Sequence, residues 1–133
     1  MTTSDSQSEP AHPFLSSPTD KPLVAKPGKR KGYIMLAPSQ ETLHYETLSE
    51  QALLAARAWA IRLEAMGAPR AYWITLSEVT RHLHIHLFPR WPEDALSGVP
   101  LFESRDTEPQ PAWDATILAA LHEWAAQYQV EIL

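Results

Sequence analysis

His82-Leu83-His84-Ile85-His86-Leu87-Phe88-Pro89-Arg90 decides how this chain is read. Apolar and imidazole side chains alternate, and successive side chains of a β-strand point to opposite faces. The alternation predicts a strand over 81–88, ended by Pro89. On it Leu83, Ile85 and Leu87 enter a core, while His82, His84 and His86 share the other face. At about 3.3 Å per residue, neighbouring histidines stand about 6.7 Å apart and the outer two about 13 Å apart. Two of them could share a zinc ion, but a third ligand would have to come from elsewhere. A row of imidazoles also suits phosphate chemistry. One neutral ring attacks phosphorus, and its neighbours orient and move protons. A polar face that merely happens to be histidine is the third reading.

Working outward, Leu23–Ala25 and Tyr33–Ala37 read as a hairpin around Pro27-Gly28 and Gly32. Residues 48–66 read as a helix with a Thr47/Glu50 capping box and a stop at Gly67 and Pro69. Its expected apolar face holds Leu53, Leu54, Ala58, Ile61 and Met66. Residues 71–77 form a third strand, and the proline-rich stretch 89–111 reads as loop. Trp113, Ile117, Leu121, Trp124 and Tyr128 make one stripe of a last helix, with Pro111 in its first turn. Residues 130–133 add a terminal strand. The order β-β-α-β-β-α argues α+β with an antiparallel sheet, one long central helix and a C-terminal helix. Trp73, Trp113 and Trp124 are read as packing, Trp91 as a loop anchor and His122 as structural or exposed.

Residues 1–22 carry Pro10, Pro13, Pro18 and Pro22 among Ser and Thr, without periodicity. They read as a disordered tail before a single domain over 23–133, with Phe14-Leu15 its one apolar pair. The chain has 133 residues, and 44% hydrophobic against 20% charged residues is ordinary globular composition. The absence of cysteine excludes a disulfide scaffold, a thiolate metal site and a cysteine nucleophile. No apolar run approaches the roughly 20 residues that span a bilayer. The expectation is a cytoplasmic protein with no membrane partner. The net charge is −5, distributed as +2 over residues 1–31 and −7 over 32–133, which argues against nucleic acid as a partner. The basic run Lys26–Lys31 reads as a solvated loop.

The stretch 82–88 resembles the signature of the histidine triad (HIT) family, His-φ-His-φ-His-φ-φ, with φ apolar. Gly32-Tyr33-Ile34-Met35-Leu36-Ala37-Pro38 resembles that family's Gly-His-φ-φ-φ-φ-Pro strand. Leu48-Ser49-Glu50 resembles the start of its helix. The run from His82 through Arg90-Trp91-Pro92-Glu93-Asp94 to Pro100 is similar to the branch of diadenosine tetraphosphate hydrolases. The resemblance implies a HIT-like fold, a homodimer, and a hydrolase or transferase of nucleotides. Its substrates would be dinucleoside polyphosphates or nucleoside phosphoramidates. It implies that His84 attacks an α-phosphate to form a covalent nucleotidyl-histidine, with His82 and His86 as its catalytic helpers. It implies no built-in metal, magnesium arriving only with a polyphosphate substrate.

The chain departs from the family pattern in places. It contains no Asn, where the family commonly uses one for ribose or phosphate. Before the triad stand Ser77, Glu78, Val79, Thr80 and Arg81, so Ser77 and Thr80 are the candidate substrate-binding hydroxyls. If Glu78 faces the phosphate it adds a charge of the wrong sign; the other reading is that it faces solvent. Glu41 stands where the family often has a His, and His44 lies three residues further on as a candidate replacement. These departures leave a second reading, a catalytically weakened HIT-like nucleotide-binding or interaction module.

Overall fold

The computed structural model describes residues 18–78 and 81–133; Phe14-Leu15 and Thr80 lie outside them. The hairpin forms β1 (Leu23–Pro27) and β2 (Ile34–Pro38), antiparallel, with Val24 opposite Ala37. Two glycines shape its turn. A Cβ on Gly28 would lie 2.2 Å from the Tyr33 ring, and Gly32 has φ +87°, which L side chains rarely adopt. The basic run here is not wholly solvated. Arg30 is buried, its guanidinium paired with both carboxylate oxygens of Asp94 (2.6 and 3.0 Å) and its Nε donating to Gln110. Burial works to raise the Asp94 carboxyl, but hydrogen bonds from Arg30 and from the Trp91 backbone hold it below its ordinary value.

Helix α1 spans Glu50–Ala65. Its cap is Ser49, whose hydroxyl accepts from Ala52 N (3.2 Å), not Thr47, whose hydroxyl turns back to His44 O. The face it buries is also not the one expected. Ala52, Ala55, Ala56, Trp59 and Leu63 are buried, while Leu53, Leu54 and Ile61 are exposed. Alanines let the helix axis approach the sheet, so small residues hold the contact and large ones are left outside.

Strands β3 (Arg70–Ile74) and β4 (Ile85–Arg90) follow. The expected third strand stops three residues early. The triad strand begins at Ile85 instead of Arg81, and Pro89 does not end it. There β4 is paired only on its β3 side, Ala71 to Pro89, because the β2 pairing runs only from Ile34–Leu87 to Leu36–Ile85. A missing N–H is tolerated at such a place.

The stretch read as loop contains a short helix, α2 (Gly98–Glu103), and a 3-10 turn over Ser104–Asp106. Helix α3 (Ala115–Tyr128) starts later than expected, capped by Asp114, whose carboxylate accepts from Ile117 N. Pro111 therefore precedes the helix. Ile117, Leu121 and Trp124 are buried as the stripe predicted, whereas Trp73 on β3 is 43% exposed.

Strand β5 (Val130–Ile132) completes a five-stranded sheet of order β3-β4-β2-β1-β5. The sheet is mixed, because β5 runs parallel to β1. The fold is α+β. One face, with Ile34, Leu36, Ile85 and Leu87, packs on α1 and α3. The opposite face gathers Tyr33, Phe88, Leu101 and Phe102, with Met35, Tyr72 and Ile74 packed against them. Burying the first face supplies most of the stability, at about 25 cal/mol per Å² of apolar area. The second is only partly covered, by α2, and it carries the candidate site. Among the described residues no helix is long and apolar enough to cross a membrane.

Candidate active site

A cleft of about 430 Å³ opens on the second sheet face, lined by Tyr33, Ser77, Glu78, His84, His86, Phe102, Arg105 and Asp106 among others. Register explains His86. It stands opposite Met35 of β2 and Ile74 of β3, in the middle of the sheet. Its ring packs edge-on against His84 (4.8 Å between centroids) and Phe102 (5.2 Å).

His84 precedes the strand. Its Nδ1–H donates to the backbone carbonyl of His82 at 2.7 Å. A carbonyl can only accept, so the proton is fixed on Nδ1 and the lone pair on Nε2. His82 plays a different part from the one the alternation gave it. Its side chain is fully buried and does not line the cleft, because the chain bends at His82 and the ladder begins only at Ile85. Burial pushes the His82 ring below its ordinary value, against the opposing pull of the Pro38 carbonyl and the Glu41 charge. The triad therefore contributes two rings to the cleft, with the His82 carbonyl holding one of them, and not three rings in a row.

Ser77 lines the cleft, with φ +52°, and its hydroxyl accepts a long bond from His84 N (3.4 Å). Glu78 lines it too. His44 is exposed on a 3-10 turn and is not part of the cleft. His122 is exposed on α3. Trp91 is buried, its indole donating to Lys31 O at 3.0 Å, so it anchors the loop.

Two important cleft residues escape the sequence reading. Tyr33 stands where the family pattern has His, and its Oη lies 2.7 Å from His86 Nδ1. Burial pushes its phenol up to about 12, despite the nearby Arg105 charge, so the hydroxyl keeps its proton. The Arg105 charge lies close enough to act on the phenol, in the direction opposite to burial. His86 itself is pushed down to about 4 by burial, with His84 and Arg105 adding to the effect. It is neutral at pH 7. Arg105 stacks its guanidinium 3.9 Å from the Phe102 ring centroid and lies 3.9 Å from Asp106. It brings a permanent positive charge to the cleft. Only the turn after α2 puts it there, and that helix has no sequence periodicity long enough to read.

Chemically, the cleft offers the imidazoles of His84 and His86 and a guanidinium. Among the described residues no group of three or more His, Asp or Glu is arranged to hold a metal ion.

No protein-family model matches the sequence, and no curated protein does. Among solved structures, the chain is similar to a zinc-bound histidine triad family protein from Mycobacterium smegmatis. Identity is 16%, the TM-score is 0.48, and 87% of this chain and 86% of that one are covered. It is also similar to a hypothetical histidine triad nucleotide-binding protein from Sulfolobus tokodaii strain 7. There the identity is 16%, the TM-score 0.38, and the coverage 86% and 82%.

Proposed function

We propose that the chain is a HIT-type nucleotide hydrolase or transferase in which His84 attacks the α-phosphate of a nucleotide conjugate and forms a covalent nucleotidyl-histidine. The observation that carries this reading is the 2.7 Å bond from His84 Nδ1–H to the His82 carbonyl. With Nδ1 the donor, Nε2 is the nitrogen left to act as nucleophile, on a ring that lines the cleft together with the His86 imidazole and the Arg105 guanidinium. As Nε2 forms the P–N bond, the bond from phosphorus to the rest of the conjugate breaks and its electron pair departs with that leaving group; the ring becomes an imidazolium, which the carbonyl stabilises through the same bond. Water then attacks phosphorus, the P–N bond breaks, and the electron pair returns to Nε2. Magnesium, when present, enters with a polyphosphate substrate.

His84→Asn tests the reading. It should lower turnover by on the order of 10⁴, at least about 5 kcal/mol of barrier. The wild type, quenched during turnover, should show a nucleotidyl adduct by mass spectrometry that the variant lacks. Equal rates in the two proteins would refute the covalent mechanism.

The second reading, a catalytically weakened binding module, draws support from Glu78, whose carboxylate lines the cleft where a phosphate would sit. It predicts nucleotide binding with neither adduct nor turnover. In either case we propose a symmetric homodimer in the cytoplasm. Supporting it are the outer strand β3 with exposed Trp73, and exposed Leu54 and Ile61 on α1. Light scattering should give twice 15.0 kDa; the monomer mass at tens of micromolar would count against it.

A further inference from the structure

We infer that the groove between β3 and α2 is a second binding site, which takes a flat apolar ring system carried by the same molecule whose phosphate occupies the histidine cleft. The inference rests on the reading above that the cleft takes a nucleotide phosphate. It does not depend on the covalent step.

The groove has a volume of about 660 Å³, larger than the cleft at about 430 Å³. Ligand sites fall in the range of about 300–1,000 Å³ and are lined mainly by apolar and aromatic side chains. Here Tyr72, Ile74 and Leu76 line one side, and Val99 and Phe102 of α2 the other. Leu76 is 72% exposed and Val99 67%, so two large apolar side chains flank the groove without serving the core. The two sides are fixed to each other. The Tyr72 hydroxyl accepts from Gly98 N at 2.7 Å, which ties the first residue of α2 to the strand. Phe102 is held edge-on against His86 and Phe88, each at 5.2 Å between centroids. A preformed site of this kind loses little to ordering when a ligand enters.

Leu76, Phe102 and Arg105 line both the groove and the cleft, so the two spaces adjoin. Arg105 stands at the junction. Its guanidinium lies 3.9 Å over the Phe102 ring, and its Nη1 donates to Phe102 O at 2.9 Å. That arrangement offers one anchored positive charge to one phosphate. Beyond it the charges run the other way. Among the described residues, the carboxylates lining the two spaces are Glu78, Glu103 and Asp106. A further anionic group entering the groove would meet Glu103 with no second cation there to offset it. A neutral ring meets no such opposition and gains by covering the apolar walls. Charge and shape therefore select the same occupant. The part of the ligand beyond its phosphate is uncharged, flat and apolar, and Leu76 and Val99 determine how much of it is covered.

The test uses the intact chain and two probes, the phenyl and 2-naphthyl esters of adenosine 5′-monophosphate. They carry the same nucleotide and the same charge, so the extra ring is the difference the groove reads. The naphthyl ester should bind about tenfold more tightly, the yield of covering about 50 Å² more apolar surface. Methyl NMR should show Ile74, Leu76 and Val99 shifting with the naphthyl ester and not with the unesterified nucleotide, a readout that needs no turnover. Val99→Trp, at an exposed position outside the core, fills the groove and should erase the tenfold advantage. Equal affinities for the two esters overturn the inference, as do shifts confined to His84 and His86. A second copy of the chain is the competing occupant. If light scattering gives a dimer for the wild type and a monomer for Val99→Trp, the groove is an interface and the inference falls. If no adduct forms on His84 but the methyl shifts and the tenfold preference hold, the covalent step fails and the groove stands. If neither ester binds, the nucleotide reading of the cleft falls and this inference with it.

Discussion

Mild acid should destabilise this protein through its buried imidazoles. In the folded chain burial holds His86 at about 4, against about 6.5 in the unfolded chain. The sign follows from proton uptake. Between pH 6.5 and 4 the unfolded chain binds a proton at this position and the folded chain does not. Stability is therefore complete above 6.5 and falls as the pH drops toward 4. At 1.36 kcal/mol per pKa unit, the loss across that window is on the order of 3 kcal/mol. Burial also lowers His82, which adds in the same direction. A domain with about 5–15 kcal/mol of stability would feel such a loss clearly. The assay is urea denaturation followed by circular dichroism at intervals from pH 7.5 to 4.5. His86→Gln, whose amide oxygen can still accept from Tyr33, should flatten the curve while leaving the His82 part. If wild type and His86→Gln lose stability in parallel, His86 is not held neutral by the fold and the argument fails.

Other expectations follow from single contacts. Arg30→Met leaves the half-buried Asp94 without its buried cation, and losing these charge-assisted hydrogen bonds should cost about 2 kcal/mol, seen as a lower urea midpoint. An unchanged midpoint would mean the pair is solvated in practice. Glu78→Gln removes an anion from the cleft and should raise turnover about tenfold, about 1.4 kcal/mol of barrier, the effect being limited because Glu78 is exposed. Unchanged kinetics with the variant would place its carboxylate away from the reacting phosphate.

The sequence reading was strongest where one residue's neighbours decide its environment. Leu83, Ile85 and Leu87 are buried as alternation requires, and the hairpin, the long helix and the C-terminal stripe all exist. It failed where the outcome depends on segments far along the chain. The buried face of α1 follows from how closely the sheet approaches, so Ala55 and Ala56 went in and Leu54 stayed out. The placing of His82 depended on where the ladder with β2 begins, and local alternation says nothing about that. Arg105 and Phe102 were hidden in a proline-rich stretch whose six-residue helix is too short to show a period. Tyr33 was visible as the place where the chain departs from the family's Gly-His, but its bond to His86 joins residues 53 positions apart.

The turn between β1 and β2 receives three indoles. Trp59, Trp91 and Trp113 donate to the carbonyls of Gly32, Lys31 and Gly28, each at 2.8–3.0 Å. The partners lie 27, 60 and 85 residues away along the chain. A tight turn is usually among the first things a chain forms, because closing it sacrifices little freedom. This one cannot finish early. Each indole must close a longer loop than the last, and that entropy is spent before the contact returns anything. In kinetic terms the hairpin tip is a late-locking element, and the ring of Tyr33, seated against Gly28 at its edge, settles with it. The Gly28 carbonyl, beside the Tyr33 ring at the edge of the site, finds its partner only when Trp113, 85 residues down the chain, has docked.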